Sequence, residues 1–284
     1  MTQEDIRKYI LKALYRDEFL YARIVLKGGN ALALIYQVGN RSSLDLDFSI
    51  DKDFEDIEFV SDRIYRALIS TFEPEGVHVF DYSFDAKPKV TTEDWWGGYR
   101  AEFKLIPKDL ADSLNFDIDH LRRRSLLVDT GSQKRKFSIE ISKFEYIKDA
   151  QVVSYEGTEI LVYTPVLLAV EKLRALLQQH KDYPKISAKA KRSRARDLYD
   201  IWAICDYFAI KLEAFLETVE SVFSAKNVSM ELLNKLDQTK ELHFASWSDV
   251  EISVEDSLED FDYYFEFVNK SAKRLYTRWK VDSP

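Results

Sequence analysis

Two aspartates one residue apart give the strongest chemical signal in the sequence. Asp45 and Asp47 lie in the segment 44–50, LDLDFSI, in which apolar residues alternate with polar or acidic ones. This alternation predicts a half-buried strand that directs both carboxylates to one face. Adjacent carboxylates repel each other unless a cation compensates, and hard divalent cations prefer oxygen ligands. The pair therefore predicts a divalent metal site, although a strand with a hydrated polar face would show the same pattern.

A glycine pair upstream of the two aspartates predicts a phosphate site. Gly28 and Gly29 follow an apolar, strand-like segment, and Asn30 precedes the helical run 31–37. Glycines let backbone N–H groups approach a phosphate closely, Asn30 is a suitable N-cap, and a helix start attracts anions. Two glycines alone indicate only a tight turn. Followed by a strand with two aspartates, they predict a phosphate cradle beside a metal site, which nucleotide chemistry requires.

The stretch around these residues resembles the active-site signature of the AbiEii-type nucleotidyltransferases, abortive-infection and toxin–antitoxin enzymes of the DNA polymerase β-like superfamily. Their pattern is Lys-Gly-Gly-Thr or a close variant, then Arg-x-Ser-x-Asp-x-Asp. The matching positions are Lys27, Gly28, Gly29, Arg41, Ser43, Asp45 and Asp47. Asn30 departs from the pattern, since Thr or Ser is usual there. The resemblance implies that the two aspartates bind metal and that the other matching residues, with Asn30, bind the nucleotide. Arg41 could equally be a structural partner of Asp45.

A second signature of that family is a lysine on one helix followed by Arg-Asp-x-x-Asp on the next. It is matched by Lys172 in VEKLRALL and by Arg196, Asp197 and Asp200 in RARDLYDI. The resemblance implies that Lys172 grips the triphosphate, that Asp197 orients this lysine or an arginine, and that the other two residues help bind the nucleotide. Without the resemblance, Lys172 could be a surface lysine and Asp197 a stabilising acid near a helix start.

Polymerase β-like enzymes generally use a third carboxylate from a neighbouring strand. In the strand-like segment 134–144, Glu140 shares a face with Ser138 and Ser142, opposite the apolar residues. We therefore predict Glu140 as the third catalytic carboxylate, which helps to hold the metal. Glu102 in YRAEFKLI is the alternative.

The resemblance implies a magnesium-dependent nucleotidyltransferase that moves a nucleoside monophosphate from an NTP to an acceptor. Asp45, Asp47 and Glu140 would hold two Mg²⁺ ions that clamp the entering and leaving oxygens. RNA, in particular the tRNA 3′ end, is the acceptor that the family implies, and a cognate antitoxin could be a partner. Two alternatives stay open: transfer to a protein hydroxyl, and a nucleotide-binding module without catalysis.

The elements that must position these residues change character along the chain. Strand-like segments alternate with helical ones up to about residue 150, whereas only helical patterns follow residue 164. This predicts an α/β nucleotidyltransferase-type N-terminal domain with a mixed sheet over residues 1–150. An all-helical C-terminal domain is predicted over residues 151–284, and it would contribute the second signature.

Composition excludes several other classes of site. The one cysteine, Cys205, can form neither an internal disulfide nor a cysteine-ligated zinc site, and its apolar surroundings predict a buried thiol. The four histidines show no metal-ligand spacing. No apolar run approaches 18 residues, and the first ten residues include four charged ones where a signal peptide needs an apolar stretch, so we expect a cytoplasmic protein without a membrane segment.

Charge and aromatic residues leave room for local RNA binding. The net charge of −8 argues against a surface that coats nucleic acid nonspecifically. Basic clusters at 122–124, 134–136 and 185–196 could be solvated faces, and the last of them could bind an RNA backbone. Trp95 and Trp96 could stack on a base or pack in the core.

Overall fold

A computed structural model describes the chain in six stretches. Arg41 and Ser43, two of the predicted nucleotide-binding residues, lie outside them, as does the first half of the basic run 185–196. The described residues are 1–38, 45–91, 93–128, 133–184, 191–254 and 257–282.

Seven strands of the described residues form one mixed sheet: β1 (Val25–Lys27), β2 (Leu46–Ser49), β3 (Val77–Lys87), β4 (Gly98–Pro107), β5 (Phe137–Ser142), β6 (Ala150–Tyr155) and β7 (Thr158–Tyr163). Their order is β3-β4-β5-β2-β1-β7-β6. The central strand β2 is antiparallel to β1 and parallel to β5, and β1 is parallel to β7. The remaining neighbours are antiparallel. The predicted fold class, a mixed sheet followed by a helical region, is confirmed.

The two central strands alternate as their sequences predict. Leu46 and Phe48 in β2 are buried, whereas Asp47 between them is partly accessible on the opposite face. In β5, Ile139 and Ile141 are buried in the same way. Burial of each large apolar side chain stabilises the fold by about 1.5–3 kcal/mol, which fixes the register. The acidic side chains of both strands are consequently left on one face.

Helices cover the sheet and form the chain beyond it. They are α1 (Gln3–Arg16), α2 (Glu18–Tyr21), α3 (Gly28–Asn30), α4 (Ile57–Phe72), α5 (Lys108–Ser113), α6 (Ile118–Arg124), α7 (Pro165–Leu177), α8 (Ala195–Tyr207), α9 (Leu216–Ser224), α10 (Lys240–Phe244), α11 (Trp247–Ser253) and α12 (Phe261–Asp282), with 3₁₀ segments at Glu73–Glu75, Leu212–Phe215 and Met230–Thr239.

The first helix ends earlier than its apolar periodicity predicts. The periodicity predicts one helix over about residues 3–22, but α1 ends at Arg16 and α2 follows separately. Asp17 lies between them in an extended conformation and accepts hydrogen bonds from the Leu20 amide and from Arg63 in α4. Asp17 therefore caps α2, and this capping interrupts the helix.

The turn after β1 differs from the prediction in one respect. The helix begins at Gly28 and continues as π-helix through Ala31–Tyr36. Asn30 lies within this helix and its side chain makes no capping hydrogen bond, so the predicted N-cap is wrong. Its buried amide instead donates to the backbone carbonyl of Asp45 at 2.7 Å. This bond ties the start of the helix to the strand of the two aspartates.

The helical region begins later than predicted. We predicted a helical domain from residue 151, but residues 150–163 form β6 and β7, an antiparallel pair that extends the sheet beyond β1. The hairpin turns at Gly157, whose φ of +73° suits glycine. The helices begin with α7 at Pro165, where the Thr164 side chain accepts from the Leu167 amide as N-cap. The division into two domains otherwise stays a prediction.

One hydrophobic cluster runs from the sheet into the helical region. It includes Leu26 in β1, Leu168 in α7 and Val268 in α12, all fully buried. Cys205 in α8 is buried as predicted, and burial raises the pKa of its thiol to about 12. Among the described residues, no helix combines the length and apolar character needed to cross a membrane.

Tyr15 in α1 provides a test of how β1 is held. Its hydroxyl donates to the carbonyl of Leu161 at 2.6 Å and accepts from the amide of Leu26 at 2.9 Å, which links β7 to β1. Tyr15→Phe leaves both buried backbone groups without this partner. We expect the free energy of unfolding to fall by about 1–3 kcal/mol, measured by urea unfolding with circular dichroism. Tyr207→Phe, at a side chain 65% exposed, is the control and should unfold like the parent. Equal stability of all three proteins would contradict this role.

Candidate active site

Four charged residues on adjacent strands form a row across the sheet. Asp47 in β2 is in register with Lys27 in β1 and with Glu140 in β5. Glu140 is in turn in register with Arg100 in β4. Directly paired residues point to the same face, and neighbouring strands lie about 4.8 Å apart. The row therefore runs cation, acid, acid, cation over about 14 Å.

The turn after β1 makes close contact with this row. Gly28 has a φ of +71°, and a Cβ added there would lie 2.6 Å from Oδ2 of Asp47. Only glycine allows both this backbone conformation and this approach. The first N–H groups of a helix lack partners within it, and they attract anions. The predicted glycine turn and the predicted acid are thus direct neighbours.

Asp47 lies where negative charge is poorly compensated. Burial raises the pKa of its carboxyl to about 7, although Lys27 opposes the shift. The carboxylates of Glu140, Glu171 and Asp45 raise this pKa further. A carboxyl with such a pKa is only half ionised at neutral pH. A bound divalent cation is a charge that would keep it ionised.

The three predicted metal ligands do not converge on one point. Asp45 accepts hydrogen bonds from Lys134 Nζ, at 2.9 Å, and from the Ser138 hydroxyl. Glu140 is paired with Arg100. In the part of the chain that the structure describes, no three His, Cys, Asp or Glu side chains are placed to hold a metal ion.

Both ion pairs are accessible to solvent. The side chains of Asp45 and Lys134 are 34% and 35% exposed, and those of Arg100 and Glu140 are 36% and 37% exposed. Such pairs contribute about 0–1 kcal/mol each, so exchanging them for a divalent cation beside Asp47 costs little. Carboxylate oxygens are also the ligands that Mg²⁺ prefers. The donor chemistry of the site therefore fits this ion.

Glu102, the alternative third acid, lies one strand farther out. It is in register with Ser138, and its carboxylate accepts from Lys136 Nζ at 3.1 Å. Glu140 is instead the direct partner of Asp47 in the neighbouring strand. The geometry favours Glu140 over Glu102, and its role as a metal ligand stays a prediction.

Lys172 is a buried cation with two buried acidic partners. Its Nζ lies 2.5 Å from Asp200 Oδ2 and 3.1 Å from Asp197 Oδ1, and Arg194 also donates to Asp197. The alternative of a surface lysine is wrong, because Lys172 is buried and two carboxylates offset its charge. Burial raises the pKa of Asp197, yet Arg194 and Lys172 outweigh it and hold this pKa at about 2. Asp197 thus contacts both a lysine and an arginine, the geometry that an orienting role requires.

Arg196 follows in the same helix, and its Nη2 lies 3.5 Å from the carbonyl of Asp249 in α11. This contact holds the guanidinium beside the α8 residues of the second signature. The structure thus brings together two groups of predicted residues. The helices α7 and α8 contribute Lys172, Arg196, Asp197 and Asp200. The strand β1, the turn after it and the segment of the two aspartates contribute Lys27, Gly28, Gly29, Asn30, Asp45 and Asp47.

A buried cluster of ion pairs supports Lys27, and sequence reasoning missed it. Lys27 Nζ lies 2.5 Å from Glu171 and 3.8 Å from Glu145. Glu145 also lies 2.7 Å from Arg174 and 3.5 Å from Lys226. Burial raises the pKa of Glu145, but Arg174 and Lys27 lower it to about 2. Charges this deeply buried are tolerated only when each has a partner, so the cluster depends on all its members.

The sequence of α7 indicates part of this cluster. Glu171, Lys172 and Arg174 lie within four residues of an otherwise apolar helix. The rest of the helix is apolar enough to be buried, so charged residues within it indicate charges that need partners inside the protein. Glu145 and Lys226 come from segments between elements, and no local pattern predicts them.

The row and α7 line a cleft with two compartments. The first compartment, of about 580 Å³, contains Gly28, Gly29, Asp47, Lys172, Arg196, Asp197 and Asp200 in its wall. The second compartment, of about 650 Å³, has in its wall Lys87, Trp96, Arg100, Glu140, Gln178, Gln179, Tyr183, Lys191 and Lys226. Both compartments share Lys27, Ser142, Glu171, Arg174, Ala175, Arg192 and Arg194.

The two adjacent tryptophans have different surroundings. Trp95 packs against the hydrophobic core, whereas Trp96 lines the second compartment. Lys226 Nζ lies 5.3 Å from the centre of the Trp96 ring. Of the two roles left open by the sequence, core packing applies to Trp95, and Trp96 offers an aromatic surface in the cleft.

Comparisons with known proteins identify the family of the sequence and proteins of similar fold. The sequence matches the family "Nucleotidyl transferase AbiEii toxin, Type IV TA system" over residues 10–267. The fold is similar to a candidate nucleotidyltransferase from Helicobacter pylori, with a TM-score of 0.52 and 19% identity over 98% of this chain and 95% of that one. It is also similar to JHP933 from Helicobacter pylori, with a TM-score of 0.50 and 20% identity over 99% and 93% of the two chains. Among curated proteins, none matches the sequence.

The contact between Gly28 and Asp47 can be tested by stability. Gly28 and Gly76 have nearly the same φ, +71° and +72°, but a Cβ at Gly76 meets nothing within 4 Å. Alanine in this conformation costs about 1–2 kcal/mol at either site. We expect Gly28→Ala to lose at least about 1 kcal/mol more than Gly76→Ala in urea unfolding, because the methyl group displaces the Asp47 carboxylate. Equal losses would show that the contact is not constrained.

The unusual pKa of Asp47 predicts a stability gain on its neutralisation. The pKa of Asp47 is about 7 in the folded protein, whereas an unperturbed aspartate has a pKa of 3.8, so its ionisation opposes folding increasingly from about pH 4 to pH 7. Asp47→Asn should therefore stabilise the metal-free protein by about 1–3 kcal/mol at pH 8, and by much less at pH 4.

Asp45→Asn is the matched control with the opposite expected sign. Burial raises the pKa of Asp45, but hydrogen bonds from Ser138 and Lys134 outweigh burial and lower it. Ionised Asp45 therefore stabilises the fold above the ordinary pKa of an aspartate, and this stabilisation is lost as the pH falls through the lowered value. Urea midpoints at several pH values with EDTA measure both variants. A destabilised Asp47→Asn at pH 8 would contradict the charge balance described.

Proposed function

The chain belongs to the AbiEii family of nucleotidyltransferase toxins of type IV toxin–antitoxin systems, and on this basis we propose that it transfers a nucleoside monophosphate from an NTP to an RNA 3′ end. The chain is a nucleotidyltransferase. The RNA acceptor, the use of Mg²⁺ and the roles of individual residues are the content of the proposal.

The observation that carries the proposal is the contact between Gly28 and Asp47. The start of a helix, which favours phosphate, lies against a carboxylate whose raised pKa calls for a cation. A triphosphate with its metal supplies the anion and the cation that these two neighbours each lack. A metal-bound nucleotide is a common cellular ligand with this combination of charges.

In this proposal Asp45, Asp47 and Glu140 hold Mg²⁺. The ion would withdraw charge from the triphosphate and stabilise the oxygens that enter and leave. To reach it, Asp45 would exchange Lys134, and Glu140 would exchange Arg100, for the metal. The two released cations stay beside the site, where they can pair with phosphate oxygens.

The remaining residues position the nucleotide. Backbone N–H groups at Gly28 and Gly29 would bind the terminal phosphates, and Arg196 would add charge from the opposite wall. Asp197 and Asp200 hold Lys172 in place, so that its ammonium faces the first compartment with a fixed geometry. The acceptor hydroxyl loses its proton to solvent as its oxygen attacks the α-phosphorus, the bond from that phosphorus to the bridging oxygen breaks, and pyrophosphate leaves with the electron pair of that bond. Positioning and charge stabilisation account for most of such a reaction.

The charge of the cleft supports a polyanionic acceptor. The chain has a net charge of −8, yet the described wall of the second compartment contains eight Lys or Arg side chains and three glutamates. A local excess of positive charge on an acidic protein favours a nucleic acid bound at the cleft rather than over the whole surface. We place the reaction in the cytoplasm, with a cognate antitoxin as the restraining partner.

A transfer assay tests the proposal. The purified protein is incubated with each α-labelled NTP, Mg²⁺ and either total RNA or lysate protein. We expect label on RNA 3′ ends, no label without divalent cation, and a loss of at least about a thousandfold in Asp45→Ala/Asp47→Ala, because metal-assisted charge stabilisation supplies several kcal/mol.

Asp51→Ala is the matched control, since Asp51 is an exposed aspartate just beyond the same strand. It should retain the activity of the parent protein. Label on protein and not on RNA would replace the proposed acceptor with a protein hydroxyl. Full activity of the double variant would show that the acids are assigned wrongly.

A further inference from the structure

The second compartment lies on the side of the acid row away from the glycine turn. Gly28 and Gly29 line the first compartment only, whereas Glu140 and Arg100 line the second compartment only. Asp47 lines the first, one strand away from Glu140. Going outward from the glycine turn, the row therefore passes from the first compartment into the second.

In-line displacement assigns a direction to this row. The attacking oxygen must approach the α-phosphorus opposite the leaving pyrophosphate. If the terminal phosphates lie at the Gly28 turn, the attacking hydroxyl arrives from the side of Glu140 and Arg100. That side is the floor of the second compartment. From this geometry, and resting on the proposed function, we infer that the second compartment binds the 3′-terminal single strand of the acceptor RNA.

The charges of the compartment suit a phosphodiester backbone. Each of its three glutamates already has a cationic partner: Glu140 has Arg100, Glu145 has Arg174, and Glu171 has Lys27. Lys87 and Arg192 are exposed at its wall and form no ion pair with any residue that the structure describes. These two cations are available for phosphate oxygens.

The compartment also offers surfaces for unpaired bases. Trp96 lines its wall and is partly exposed. Stacking on an aromatic ring tolerates any base, and it requires that the strand be unpaired. Gln178 and Gln179 add amide groups to the wall. An aromatic ring in a compartment with exposed cations favours a single-stranded RNA over a folded protein surface.

Equilibrium binding tests the inference without relying on catalysis. The probe is a short single-stranded RNA with a 5′ fluorescein, followed by anisotropy at several salt concentrations. Lys87→Ala/Arg192→Ala should weaken binding by about tenfold or more, and should lower the slope of log K against log salt by about 1.4, which is two phosphate contacts on a single strand. Lys87 lines only the second compartment, so the single variant Lys87→Ala should lower this slope by about 0.7 and leave the affinity for ATP with Mg²⁺ unchanged.

Two further variants separate charge, position and stacking. Lys89→Ala/Lys148→Ala removes the same two charges from exposed positions that do not line the compartment, and it should bind RNA like the parent. Trp96→Leu should weaken RNA binding by about fivefold to a hundredfold with the salt slope unchanged. A duplex RNA without a single-stranded end should compete poorly.

The outcomes separate this inference from the proposed function. RNA affinity unchanged in Lys87→Ala/Arg192→Ala, or weakened equally in the control pair, overturns the compartment assignment, while continued labelling of RNA keeps the proposed reaction. Weakened ATP binding in Lys87→Ala, with unchanged RNA binding, would assign the second compartment to the nucleoside of the NTP and overturn the inference. No RNA binding by the parent protein, with label on protein, would reject the RNA acceptor itself.

Discussion

The organisation of the site follows from one electrostatic constraint: two carboxylates, Asp47 and Glu140, stand side by side on neighbouring strands of one sheet face. Their repulsion has to be offset, and the chain does so with a cation at each end of the row. Lys27 is itself buried, and Glu171 and Glu145 compensate its desolvation. The compensation is incomplete at Asp47, where the pKa stays raised. The fold thus holds a site whose charge balance improves when a cation arrives.

Local patterns in the sequence were enough for part of this arrangement. Strand alternation places Asp45 and Asp47 on one face because burial of Leu46 and Phe48 fixes which side faces the core. The glycine pair at a strand-to-helix turn likewise depends only on neighbouring residues. The resemblance to a known family then connected these residues with the second signature some 130 residues later. The mixed sheet and the helical C-terminal region were predicted correctly on the same grounds.

What could not be predicted depends on tertiary packing. The resemblance implied that Asp197 orients Lys172 or an arginine, but the second contact, from Asp200, was not predicted, because both aspartates lie in another helix than Lys172. Glu145 and Lys226 lie in connecting segments with no periodicity to interpret. Asn30 was assigned as a cap because local preference favours it, but a contact with the Asp45 carbonyl determines its position. Long-range charge pairing or hydrogen bonding overrode the local preference in each case.

The uninterrupted hydrophobic cluster has a consequence for how substrates arrive. Leu26 beneath the glycine turn and Leu168 in the helix that carries Lys172 belong to one apolar cluster. Interiors of this kind are packed as densely as organic crystals and resist large relative displacement. The two walls of the cleft are therefore assembled once, during folding, and are preorganised before any nucleotide binds. Reactants therefore diffuse into a cleft whose described walls already hold their relative positions.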